Sequence, residues 1–173
     1  MNIVLIGFRG TGKSTVGKLL ANRLERDFID SDKYIEDSAG KTIKHIFEGD
    51  GEEGFRKIET DVIAKLSRMD NKIIAVGGGA ILRKDNVRNL KDNGFLVLLE
   101  ATLEIIHKRI TQDEKTQQRP SLTDKKPLDE IKHLLEQREH PYKNAADYII
   151  NTSYGACEDI VNEIIATIEK QSN

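Results

Sequence analysis

The chain has a single cysteine, Cys157, so it cannot close an internal disulfide, and it suits a reducing compartment. No apolar run approaches the roughly 20 residues needed to cross a bilayer. Neither charge is in large excess: 27 Lys and Arg against 29 Asp and Glu leave a formal net charge of -2. That argues against a constitutive binder of nucleic acid or of a membrane surface, which would carry a basic surplus. The first residues, Met1 to Ile6, lack the charged region and apolar core of a secretory signal, so a cytoplasmic protein is expected. No internal repeat and no low-complexity linker interrupts the chain. Cys157 and the histidines His45, His107, His133 and His140 have no metal-ligand spacing. His133 and His140 lie seven apart and can share a helix face, where a solvated surface is the ordinary outcome.

What is present is a regular alternation. The 173 residues, 38% hydrophobic and 32% charged, suffice for one domain spanning 1–173 with a sizeable core. Short apolar runs at Ile3–Ile6, Phe28–Asp30, Lys72–Val76, Phe95–Leu99 and Tyr148–Ile150 read as strands. Between them lie helical spacings: Val16, Leu19, Leu20 and Leu24; Leu103, Ile106 and Ile110; Ile131, Leu134 and Leu135. Residues 32–68 read as polar and mostly helical, with Phe55, Ile58, Val62 and Leu66 on one stripe, and a short helix is expected from Lys84 to Leu90. Ile160, Val161, Ile164, Ile165 and Ile168 mark a final amphipathic helix. The alternation predicts an α/β fold, a parallel sheet with helices on both faces. Ligands in such sheets bind beyond the carboxyl ends of the strands. The chemistry is therefore expected in the first glycine loop, at Asp30 and Asp32, and at Gly77-Gly78-Gly79.

Residues 7–14, Gly-Phe-Arg-Gly-Thr-Gly-Lys-Ser, fit the phosphate-loop pattern G-x-x-x-x-G-K-[ST] between a buried strand and an amphipathic helix. The glycines let backbone N–H groups turn toward phosphate oxygens, and the helix start adds a positive dipole end. Lys13 can reach the β- and γ-phosphates, and the Ser14 hydroxyl can ligate Mg²⁺. A GTPase switch is excluded. Asp37-Ser38-Ala39-Gly40 matches D-x-x-G only as a string inside a helical stretch, and Asn71-Lys72 is not followed by the required Asp. Asp30 and Asp32 lie two apart beyond a buried strand and can face one cleft. One can hold Mg²⁺ through water while the other accepts a hydroxyl proton. An Asp turn or helix cap would look the same. Arg56 with Glu59, and Arg138, read by themselves as ordinary solvated side chains. Thr111 to Pro127 has almost no apolar residues, and both a mobile lid and a surface excursion fit it.

The ordered set "GFRGTGKST", "DFIDSDKYIE", "GEEGFRKIE", "VGGGAIL", "RPSL" and "REHPYKNAAD" resembles shikimate kinase over essentially the whole chain. The resemblance implies a three-layer fold like that of the P-loop nucleoside monophosphate kinases. It would have a five-stranded parallel sheet, helices on both faces, a substrate-binding helical region at about 32–60 and a lid at about 111–127. It implies transfer of the γ-phosphoryl group of ATP to the 3-hydroxyl of shikimate, with Mg²⁺, on the route to aromatic amino acids. ATP would meet Gly10, Thr11, Gly12, Lys13, Ser14, Thr15, Arg109 and Arg119. Shikimate would meet Asp32, Arg56, Gly77, Gly78, Gly79 and Arg138. Asp32 is implied as the base, Lys13 and the lid residue Arg119 as further catalytic groups, Arg56 and Arg138 as a carboxylate clamp, and Ser14 and Asp30 as the metal side. Arg109 would lie against the adenine. The three glycines would leave bare backbone N–H groups for the substrate, where side chains would take its place.

The chain departs from the family in the lid. It reads Arg119-Pro120-Ser121-Leu122, where two leucines after the proline are commoner, and the segment is a few residues longer than usual at Gln112 to Gln118. Two competitors differ in what they require. A kinase of another polyol acid, such as gluconate, should lack the combined triple glycine and Phe-Arg-x-x-Glu. A nucleotide-binding regulator that has lost catalysis should lack Lys13, Asp32 or Arg119. The expected partners are small molecules alone, and a monomer is expected because no helix carries a second apolar face.

Overall fold

The computed structural model describes residues 1–112 and 127–171. Five strands form one parallel sheet in the order β2-β3-β1-β4-β5: β1 (Asn2–Ile6), β2 (Asp27–Asp30), β3 (Lys72–Ala75), β4 (Gly94–Glu100) and β5 (Tyr148–Asn151). Seven α-helices are described: α1 (Lys13–Leu24), α2 (Ser31–Ala39), α3 (Ile43–Ser67), α4 (Lys84–Asp92), α5 (Leu103–Gln112), α6 (Pro127–Ala145) and α7 (Cys157–Gln171). A 3-10 turn covers Ala80–Leu82.

Strand side chains alternate between faces, and the two cores divide accordingly. Ile3 and Leu5 of β1, Ile73 of β3 and Val97 and Leu99 of β4 pack with α1 and α7. Val4, Ile6, Ile74, Leu96 and Leu98 point the other way, into the layer built by α2, α3, α4 and α6. Every residue of β1 is buried, which is why this strand reads as an unbroken apolar run. A smaller cluster of Phe8, Ile106, Ile131 and Leu134 joins α5 to α6 above the sheet edge.

The helical stretch expected over 32–68 is broken between α2 and α3 and again inside α3, where Gly51 has a non-helical φ of 69 and ψ of -176. Gly40 ends α2 in the left-handed region at φ 62, and the Thr42 side chain caps α3 by accepting from His45 N at 3.3 Å. The polar composition of 38–42 carries this break, and an apolar-stripe reading passes over it. The apolar stripe itself holds, since Phe55, Val62 and Leu66 are buried. The segment expected to be irregular at Thr111–Pro127 is shorter at both ends, because Thr111 and Gln112 complete α5 and Pro127 opens α6. Proline suits that first helical position, where its missing N–H has no partner to lose. The remainder of that segment, with Arg119, Pro120 and Ser121, lies outside the described residues.

Asn2 fixes the strand that leads to the phosphate loop. Its buried side chain donates to Met69 O at 2.7 Å and accepts from Lys72 N at 2.9 Å, tying the start of β1 to the start of β3. Asn2→Ala leaves both backbone groups without these partners and should cost about 1–3 kcal/mol. Urea unfolding measures this, and an unchanged midpoint would remove Asn2 from the register of the sheet.

Candidate active site

The phosphate loop runs from Gly7 to Ser14, between β1 and α1. Gly7 has φ 138, and a Cβ there would come 2.4 Å from Leu99 O, so the end of β4 leaves room for nothing larger. Gly12 precedes α1 with φ 95, and no side chain caps the helix. Its first turn holds no acidic residue either, so the dipole end and its N–H groups favour an anion. The Lys13 ammonium curls back over the loop and donates to Gly7 O at 2.8 Å and Phe8 O at 3.0 Å. Arg9, Gly10, Thr11, Gly12, Lys13 and Ser14 line a cavity of about 440 Å³, whose far wall includes Arg109, Thr152, Gly155 and Cys157.

Asp30 ends β2 and does two jobs. Its Oδ1 caps α2, accepting from Asp32 N at 3.1 Å and Lys33 N at 3.4 Å, while its Oδ2 accepts from the Ser14 hydroxyl at 2.9 Å. Asp30 is therefore a helix cap, and it accepts a hydrogen bond from Ser14 as well. A hydroxyl and a carboxylate are hard oxygen donors of the kind Mg²⁺ takes, so these two residues fit that ion. Among the described residues no cluster of three or more His, Cys, Asp or Glu could enclose a metal on its own.

A second cavity, of about 110 Å³, opens beside the first. Arg9, Asp32, Gly77 and Gly78 line both. Arg56, Gly79 and Arg138 line the second alone. The structure thus brings together the sequence-predicted set of Asp32, Arg56, the three glycines and Arg138.

The Arg56–Glu59 pair is not the surface pair that its spacing suggested. Glu59 is 1% exposed, and Arg56 Nη1 donates to its Oε2 at 2.7 Å. Burial pushes the Glu59 carboxyl above its usual range. Arg56 pulls it back, and the nearby Asp32 charge adds to the rise. Burial works against the charged Arg56 guanidinium, but Glu59 and, at 3.4 Å from Nη2, Glu52 together outweigh it and hold the group above its ordinary value. The pair aims one edge of the guanidinium at the pocket, and the ring of Phe55 lies under it at 5.3 Å. Removing one partner of such a buried pair typically costs about 3–5 kcal/mol.

The glycine turn differs in its reason from the sequence expectation. The Gly77 N–H is already taken, donating to Ser31 Oγ at 3.0 Å. A Cβ on Gly77 would come 2.6 Å from Asp32 Oδ1, and one on Gly79 would come 2.5 Å from both terminal nitrogens of Arg56. None of the three has a positive φ, so the need is for space and not for backbone freedom. The room is used first by the protein's own Asp32 and Arg56 side chains.

Two residues on α6 meet this turn. Arg138 lies over the ring of Phe8 at 5.6 Å, with Nη1 3.5 Å from Gly78 O, so it is no solvated surface arginine. Tyr142, one turn on, donates its hydroxyl to the same carbonyl at 2.5 Å. Burial raises the phenol to about 12, so it remains a neutral donor at physiological pH. The stretch REHPYKNAAD holds Tyr142 four residues after Arg138, and the resemblance assigns it no role. The i, i+4 spacing was the available signal, since it puts both side chains on one helix face. Arg109 holds Gly10 O at 3.3 Å and Thr152 O at 2.6 Å on the far wall of the first cavity. Thr152 itself escaped the sequence reading, although it lies just beyond β5, where the strand-end rule would have found it.

A phosphate loop beside a second pocket lined by Arg56 and Arg138, on a five-stranded parallel sheet, fits a P-loop kinase of small metabolites. The shikimate kinase family model matches residues 9–169. A shikimate kinase from Caldanaerobacter subterraneus subsp. tengcongensis is 46% identical over 164 residues, covering 95% of this chain and 94% of that protein. The solved structure of a shikimate kinase from Acinetobacter baumannii in complex with shikimate has a TM-score of 0.90 at 40% identity, covering 98% of this chain and 93% of that one. A gluconokinase from Sinorhizobium meliloti, at 18% identity and a TM-score of 0.62 over 98% of this chain and 92% of its own, shares the fold alone. The chain belongs to the shikimate kinase family and is an ATP-dependent kinase.

Gly79→Ala puts a methyl group where the Arg56 guanidinium lies. It should raise the KM of the acceptor about 10-fold, the effect of roughly 1.4 kcal/mol, and leave the KM for ATP within about twofold. Steady-state kinetics with each substrate varied measures both, and an unchanged acceptor KM would mean that Arg56 can move aside without loss.

Proposed function

We propose that the chain transfers the γ-phosphoryl group of ATP to the 3-hydroxyl of shikimate, giving shikimate 3-phosphate and ADP. One observation carries this reading: Asp32, with Gly77 and Gly78, lines both the phosphate-loop cavity and the clamp pocket. A carboxylate on that shared wall can reach an acceptor hydroxyl and the phosphate it attacks. The A. baumannii relative's complex with shikimate supports the choice of acceptor.

In this reading Arg56 and Arg138 hold the acceptor's carboxylate from α3 and α6, and Gly78 and Gly79 form the floor between them. Paired guanidinium groups fix a carboxylate in a plane, which orients the ring and its hydroxyls. Asp32 accepts the proton of the attacking hydroxyl as the new oxygen–phosphorus bond forms and the bond to ADP breaks. Lys13 and the N–H groups of Gly10, Thr11, Gly12, Ser14 and Thr15 offset the negative charge spread over the phosphate oxygens. Lys13 gives up its contacts to Gly7 O and Phe8 O for those oxygens. Ser14 and Asp30 would hold Mg²⁺, which supplies charge neutralisation across the phosphates when bound. Arg109 flanks the nucleotide. Arg119, outside the described residues, is proposed for the γ-phosphate from its place in the Arg-Pro-Ser-Leu motif.

The proposal extends to the frame around this site: one domain over 1–173, with the acceptor region at about 32–60 and a closing segment at about 111–127. It also takes the protein as a cytoplasmic monomer with small-molecule partners alone. Among the described residues no helix is long and apolar enough to cross a membrane.

Asp32→Asn should lower kcat by at least about 10²-fold while ATP still binds, the usual contribution of a positioned base. Arg138→Ala should instead raise the KM for shikimate and change the KM for ATP little. Near-normal turnover of the first variant would take Asp32 out of the proton transfer. An unaltered shikimate KM in the second would undo the carboxylate clamp.

A further inference from the structure

Thr152 follows β5 and is 3% exposed, although it is polar. Its backbone is fixed twice: the N–H donates to Glu100 O at 2.7 Å, and the carbonyl accepts from Arg109 Nη2 at 2.6 Å. Its hydroxyl lies 2.8 Å from Thr11 O and 3.1 Å from Glu100 O, and accepts from Arg109 Nη1 at 3.1 Å. One hydroxyl carries one proton, and the shorter contact marks Thr11 O as its main acceptor. Arg109 Nη1 also reaches Gly10 O at 3.3 Å. Two successive carbonyls of the phosphate loop are therefore held from outside by one threonine–arginine pair.

This matters because the peptide unit is rigid. In a trans peptide the carbonyl and the N–H point in opposite directions. Holding Thr11 O against Thr152 sets the direction of the Gly12 N–H, at the uncapped start of α1. Gly12, at φ 95, has a backbone with wide freedom, so that direction needs an outside constraint. Donors to a phosphate oxygen contribute most when they are already oriented before the substrate arrives.

We propose that Thr152 is a positioning residue for the phosphate cradle, acting through Thr11 O on the Gly12 N–H, and not a wall residue for the nucleobase. The proposal rests on the reading of residues 7–14 as a phosphate loop and is independent of which acceptor is used. Thr152→Val keeps the shape, removes the donor and leaves Thr11 O and one Arg109 N–H without this partner. Thr152→Ser restores the hydroxyl, and Thr152→Ala gives the same comparison should valine not fold.

The test is inhibition of the full-length enzyme, competitive with ATP, by two fragments: inorganic tripolyphosphate, which has no base, and adenosine, which has no phosphate. Loss of the hydroxyl should weaken tripolyphosphate inhibition about 10-fold, leave adenosine inhibition within about twofold and lower kcat, and serine should recover most of the loss. Weakened adenosine inhibition alone would assign Thr152 to the base pocket and overturn the proposal. Equal weakening of both fragments with a lowered melting temperature would make the role structural, and no change in either would make the hydrogen bond incidental. Failure of tripolyphosphate to inhibit even the unaltered enzyme would overturn the phosphate-loop reading and this proposal with it.

Discussion

The site depends on β1 and β3 ending side by side. Val76 N donates to Leu5 O at 3.1 Å, carrying the pairing one step past the last residue of β3. From that point the two chains turn away from the sheet, one as the phosphate loop and the other as the glycine turn. Parallel pairing puts both departures at the same edge, where α1 presents its positive end. A γ-phosphate and an acceptor hydroxyl can then meet without any large rearrangement of the sheet. The buried Asn2 at the other end of β1 keeps this register, although it lies far from the chemistry.

On this frame the acceptor pocket is an arrangement of charges in little space. Asp32, Glu59, Arg56 and Arg138 converge on three residues with no side chains. Glu59 is held in a buried place that raises its carboxyl, and its compensation is the guanidinium it aims. Gly77 and Gly79 make room for Asp32 and Arg56, so the triple glycine places these two charged groups before it shapes anything bound. Tyr142 and Arg138 then anchor the middle carbonyl of the turn from α6. Phosphoryl transfer asks chiefly for such positioning and charge placement, since the covalent change itself needs little from the protein.

The periodic parts of the fold were legible in the sequence. Ile3 to Ile6, Phe95 to Leu99 and the final stripe from Ile160 to Ile168 each declared its element, because burial selects apolar residues at a fixed period. The phosphate loop declared itself because its chemistry tolerates few alternatives. Asp30 and Asp32 stood out by their place beyond a strand end, and Ser14 by the phosphate-loop pattern. The interruption at residues 40–42 was missed, since a cap and a left-handed glycine leave no trace in an apolar stripe. Burial of Glu59 was missed for a different reason: an i, i+3 pair looks the same in sequence whether water or protein surrounds it. Thr152 and Ser31 each follow a strand, so the strand-end rule could have pointed to the positions, but the backbone atoms they meet become neighbours only when distant strands pair, and no local pattern records those partners.

In the proposed reaction one shared wall, carrying Asp32, joins a phosphate donor to a hydroxylated carboxylate. ADP release by the unaltered protein tests it most directly, with Mg-ATP against shikimate, gluconate, a nucleoside monophosphate and no acceptor. The account predicts turnover with shikimate and only background with the rest. Turnover on gluconate or a nucleotide in its place would keep the kinase and contradict the clamp, and ATP binding without turnover on any acceptor would contradict the account as a whole.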